Sequence, residues 1–163
     1  MRELSRAARE AGRVYFTGGA TAVLLGWRES TIDIDIKLVP EADAILRAVP
    51  ALKELLELNV ELAAPDDFVP VQEDWPDRSP FVAQEGLLSF HHFDLYAQAL
   101  AKIERGHAVD RLDVQELLAR GLVERARLAA YFEAVRDRLY RYPAIDPARF
   151  RVAVEEAVRF PIP

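Results

Sequence analysis

The chain has no cysteine in its 163 residues, and only one methionine and one asparagine, Asn59. Without cysteine there is no disulfide framework and no thiolate metal site, so any metal must be held by oxygen or histidine, and a reducing compartment fits best. No apolar run approaches the roughly 20 residues a membrane span needs. The first stretch, MRELSRAAREAG, is charged and lacks the apolar centre of a secretory signal. A cytoplasmic protein with no membrane partner is expected. Lysine is also scarce, three against 18 arginines, which together with the near absence of Asn, Met and Cys makes a thermophile-like composition. Glycine motifs of the Rossmann and Walker types, a zinc-ligand spacing and a Ser-His-Asp order are all missing, as are internal repeats and low-complexity tracts.

What is present is an acidic chain, 51% hydrophobic, of a length suited to one domain over 1–163. Its net charge of −6 argues against a surface that coats nucleic acid, since phosphate affinity comes mainly from Lys and Arg. The charge is uneven: from Arg120 to Arg159 nine arginines face six acids, so that segment is near +3 and the remainder near −9. Interspersed charges of both signs read first as self-neutralised helix faces.

Periodicity and punctuation predict a helix over 2–12, a strand over 13–17 (RVYFT), a turn at Gly18-Gly19, a helix over 20–27 and a strand over 31–39. A helix over 41–56, kinked or broken at Pro50, leads to a strand over 59–63 (NVELA). The run 65–80 holds four prolines and reads as an ordered loop pinned by Phe68, Val69 and Trp75. A further strand over 86–93 precedes helices over 95–105, 109–120, 123–141 and 147–159. The expected order is an α/β part over 1–93 and a helical part over 94–163.

The stretch TGGATAVLLGWRESTIDIDIKL, residues 17–38, carries the chemistry. On a strand, Asp33 and Asp35 share one face while Ile32, Ile34 and Ile36 point to the core. Two carboxylates without basic neighbours repel unless a cation lies between them, and Mg²⁺, which takes one or two carboxylates and leaves its other positions to water and phosphate, suits such a pair. A solvated acidic face gives the same alternation. Gly18-Gly19, between strand and helix, adds a place where backbone N–H groups can approach an anion without interference from Cβ atoms. Phosphate cradle and acid pair together are the apparatus of nucleotidyl transfer.

Strand, Gly-Gly, helix and then a strand with Asp-x-Asp resembles the nucleotidyltransferase superfamily, whose members share a polymerase-β-like core and move a nucleoside monophosphate from an NTP to an acceptor. Arg28 and Thr31 before the aspartates, and later Lys102, Arg105, Asp110 and Asp113 in AKIERGHAVDRLDVQELL, are similar to a small bacterial branch related to AbiEii-type toxins. The resemblance covers about residues 14–120. It implies an α+β fold, with a small mixed β-sheet core flanked by helices and followed by a C-terminal helical segment. It further implies Mg²⁺ (or Mn²⁺) at Asp33 and Asp35, with Glu61 on the following strand as third carboxylate, a departure from the usual Asp. Nucleotide contacts would fall to Gly18, Gly19, Arg28, Thr31 and Arg105, with Thr17 or Thr21 replacing a missing serine hydroxyl. Lys102, Asp110 and Asp113 would join Asp33 and Asp35 in catalysis, and a tRNA end or a protein hydroxyl would accept the nucleotide.

Each outlying candidate has a plainer role beside the catalytic one. Asp94, Gln98, Lys102 and Arg105 form a stripe that is also the solvent side of an amphipathic helix, and Asp110 with Asp113 at the capping-box offset reads as an N-cap. His91 and His92 are adjacent, point to opposite faces and cannot share one ion. The rival to the enzyme is a non-catalytic nucleotide- or partner-binding module, such as one half of a toxin–antitoxin pair.

Overall fold

Gly12–Thr17 forms β1, and its Val-Tyr-Phe-Thr run is buried almost completely, with Val14 and Tyr15 fully so. A strand covered on both faces belongs at the centre of a sheet. β1 is indeed the middle of five strands. The structure, a computed structural model, describes residues 1–159. The chain divides into two units, one of residues 1–64 and 79–93, the other of 65–78 and 94 onward.

The first unit holds the sheet. After α1 (Arg2–Ala7) and β1 come α2 (Gly18–Leu24), β2 (Asp33–Val39), α3 (Asp43–Leu56), β3 (Asn59–Leu62), β4 (Phe81–Glu85) and β5 (Leu88–His92). The sheet order is β3-β2-β1-β5-β4: β1 runs antiparallel to β2 and parallel to β5, β2 is parallel to β3, and β4 is antiparallel to β5. Mixed pairing follows from the connections, because α3 is long enough to return the chain parallel while Gly86-Leu87 permits only a hairpin. One core cluster joins Val14, Phe16, Ile36, Leu38, Val60 and Phe90 to Leu4 of α1 and Ile45 and Leu52 of α3.

Several boundaries differ from the sequence expectation. α1 ends at Ala7, five residues early, and β2 begins at Asp33, so Ile32 lies outside the strand and is 70% exposed instead of packing inward. β4 was not expected; its sequence, FVAQE, does not alternate, and its burial is equally irregular. Pro50 does not split α3, which continues from Asp43 to Leu56 with the proline at an exposed position.

The second unit is helical: α4 (Leu95–Arg105), α5 (Ala108–Ala119), α6 (Arg125–Arg136) and α7 (Pro147–Arg159), with 3₁₀ turns at Pro65–Asp67 and Leu139–Arg141. The expected helix over 123–141 is therefore α6 plus a short turn. α4 is buried around most of its circumference, including Leu95, Ala99, Leu100 and Ile103. Of the three residues expected to pin the 65–80 run, Val69 is fully buried and Trp75 half-buried, but Phe68 is 57% exposed.

Candidate functional site

Gly18 adopts φ +58, a left-handed conformation that disfavours any side chain. A Cβ built there would stand 2.7 Å from Oδ2 of Asp35. The backbone conformation favours glycine at this position, and any added side chain would have to displace the Asp35 carboxylate, which lies directly over the first turn of α2. The neighbouring Gly19 is crowded in the same way: its Cβ would be 2.6 Å from the Thr31 hydroxyl. Thr31 in turn donates to the Asp33 carbonyl (3.0 Å) and accepts from the Asp33 N–H (3.2 Å), locking the approach to β2. Arg28 is half-buried in the connection between α2 and β2. The structure thus brings Gly18, Gly19, Thr31 and Asp35 together.

β2 and β3 pair Asp33 with Asn59 and Asp35 with Glu61, so all four side chains emerge from one face while Ile36 and Val60 enter the core on the other. Asn59 Nδ2 donates to Asp33 Oδ1 (3.1 Å) and to Glu61 Oε1 (2.9 Å), and its carbonyl accepts from Lys53 Nζ (3.1 Å). Glu61 sits where the third acid was expected. Even so, among the described residues no group of three or more acids or histidines is arranged to hold a metal ion.

Neither threonine proposed as a serine substitute is displayed at the surface. Thr21 is buried, donates to the Phe16 carbonyl (3.1 Å) and lies 3.2 Å from His92 Nδ1; Thr17 is buried at the start of α2. Desolvation lowers the buried His92 to a pKa of about 4, which keeps it neutral. His91 faces Ser79 and Ser89 instead. The two histidines are structural and separate.

In the second unit the polar stripe of α4 does not face solvent. Asp94 is fully buried, Gln98 is 2% and Lys102 6% exposed; only Arg105 reaches outward. Lys102 Nζ donates to Asp113 Oδ2 at 2.6 Å and stands 3.6 Å from Asp110, whose carboxylate also takes a two-pronged contact from Arg105, with Nε at 2.7 Å. Burial alone would raise the Asp110 carboxyl, but the Arg105 hydrogen bonds and charge, with Lys102 and the His107 N–H, hold it below the usual carboxylate range. Asp110 is not the N-cap. His107 holds that position, and Asp110 three residues on accepts from its N–H, the reaching-back half of a capping box.

This arrangement links acids of one helix to cations of another at the separations the sequence displays. A family model described as nucleotidyltransferase of unknown function (DUF6036) matches residues 1–156. The chain belongs to this family. No curated protein and no solved structure matches it. Because the match spans both units, the Gly-Gly pair at the start of α2, the DxD strand and the Lys102 helix all lie within the nucleotidyltransferase family region, whose reaction draws on an NTP. No helix among the described residues is long and apolar enough to cross a membrane.

Two parts of the family region escaped the sequence reading. Asn59 drew notice only as the sole asparagine, although an amide two residues before Glu61 on a strand must share its face. The other is a network around Arg78, which donates to Asp94 (3.1 Å) and Gln72 (2.9 Å) and lies over the rings of Tyr96 and Tyr131, 5.3 and 5.0 Å away. Burial raises the Asp94 carboxyl, against hydrogen bonds from Tyr96 and Tyr131 and the Arg78 charge. It caps α4 through the Tyr96 N–H (2.9 Å). No sequence spacing marked Arg78, because its partners come from three separate segments.

Proposed function

We propose that the protein transfers a nucleoside monophosphate from an NTP to a hydroxyl of an RNA, such as a tRNA end, or of a protein. The observation that carries this reading is the Asp35 carboxylate packed over Gly18, which ties the acid pair to the turn suited to phosphate. The residues fit a divalent cation: Asp33 and Asp35 are hard oxygen donors two apart on one strand, and a two-carboxylate site leaves the remaining positions to water and phosphate, as Mg²⁺ or Mn²⁺ requires. Bound there, the cation would offset the negative charge gathered on the α-phosphate and the departing pyrophosphate.

The chain's own residues do the rest. Gly18 and Gly19 let the triphosphate approach the backbone, Thr31 fixes the start of β2, and Arg28 supplies positive charge on the same connection. An acceptor hydroxyl oxygen attacks the α-phosphorus in line, the bond from the α-phosphorus to the bridging oxygen breaks, pyrophosphate leaves, and the hydroxyl proton passes to solvent or to a carboxylate. Lys102, Asp113, Asp110 and Arg105 form an ion cluster in the second unit, and we assign them the support of α4 and α5.

A second reading, binding without turnover as in a toxin–antitoxin partner, draws on the failure of Asp33, Asp35 and Glu61 to form a three-ligand group. α-labelled NTPs incubated with bulk tRNA or a cell-protein fraction distinguish the two. Mg²⁺-dependent label on one acceptor, absent with Asp33→Ala, supports transfer; NTP binding without label on any acceptor supports the second reading.

A further inference from the structure

Asn59 is half-buried at the first position of β3, and each polar atom of its amide has a partner. The Lys53 ammonium can only donate, so it fixes the amide oxygen toward α3 and leaves both N–H groups for the acids; the opposite orientation would set donor against donor. One N–H serves Asp33 at 3.1 Å and the other Glu61 at 2.9 Å. Neither carboxylate has an ion pair among the described residues. A neutral donor thus lies where two like charges would otherwise invite a cation, and the Lys53 ammonium bonds to the amide oxygen instead of to either acid.

We propose that Asn59 is a positioning residue that stands in for a cation, holding Asp33 and Glu61 together while no divalent ion is bound and giving them up when one binds. The inference rests on the metal reading of Asp33 and Asp35 given above. It explains why Glu61, correctly placed on β3, belongs to no three-ligand group: its carboxylate is engaged by the amide. It also sets the sign of the effect. A residue that preorganises metal ligands strengthens metal binding, whereas a resident donor that competes for their oxygens weakens it.

The test is Mn²⁺ titration of the full chain, followed by the electron paramagnetic resonance of the free ion, for wild type, Asn59→Leu and Lys53→Met, with melting curves in EDTA and in saturating Mg²⁺. Asn59→Leu should bind Mn²⁺ about threefold more tightly, and its Tm deficit in EDTA should shrink with Mg²⁺, since binding and stability are reciprocally linked. Lys53→Met, which leaves the fold of β3 intact but frees the amide, should change both in the same direction by less. Unchanged or weaker Mn²⁺ binding in both variants, with a Tm deficit that Mg²⁺ does not alter, overturns the proposal and makes Asn59 a plain strand anchor. Absence of Mn²⁺ binding in wild type overturns the metal reading itself, and this inference with it.

Discussion

Gly18 and Gly121 have similar backbones, φ +58 and +67, but different surroundings: a Cβ on Gly18 meets the Asp35 carboxylate, while one on Gly121 meets nothing within 4 Å. Gly121→Ala should therefore cost only left-handed strain, about 1 kcal/mol, and leave nucleotide binding intact. Gly18→Ala should cost more and also abolish Mg²⁺-dependent NTP binding, because Asp35 must move; chemical denaturation and binding titrations on both variants check this. His92 makes a pH prediction. Its folded pKa of about 4 lies below the unfolded value, so the unfolded chain binds the extra proton. Stability should be complete above about pH 6.5 and fall by roughly 3 kcal/mol toward pH 4. Denaturation at several pH values should show that slope, and His92→Gln should flatten it.

At the scale of elements, α4 separates what a sequence displays from what it withholds. The limits of α4 were legible, from Leu95 to the Gly106 stop, but the burial of its polar stripe was not: a solvated stripe and one that meets Asp110 and Asp113 on the next helix have the same periodicity. Lys102→Met should remove the 2.6 Å ion pair to Asp113 and destabilise the protein by about 3 kcal/mol or more, as for other broken buried pairs, read as a large drop in Tm. Asp110, held below the ordinary carboxylate range, contributes stability above the unfolded pKa near 4 that is lost as pH falls through its folded value. Asp110→Asn should make the acid limb of the stability curve shallower. Pro50→Ala should stabilise α3 by about 1 kcal/mol or more, since an interior proline forfeits a helix hydrogen bond. β2 was readable because alternation is a local signal, whereas the paired glycines open α2 instead of forming a separate turn before it; β4 was not, because its residues do not alternate.

Over the whole chain, the acidic balance and the arginine-rich end have a simple structural reading. Arg120, Arg127, Arg136 and Arg159 each pair with an acid three or four residues away, within a helix or from its cap, as the interspersed charges implied. The fold class and family were both accessible from one 22-residue stretch plus a later Lys-Arg-Asp-Asp run, while the bridging role of Asn59 required strand register to be seen. The central claim is that the acid pair on β2 is a metal–nucleotide site. Isothermal titration of ATP, GTP, CTP and UTP, with and without Mg²⁺, into wild type and the Asp33→Ala/Asp35→Ala variant tests it most directly. Mg²⁺-dependent binding of at least one nucleotide, absent from a variant that remains folded, is the expected result; equal binding by wild type and variant, or none by either, would contradict it.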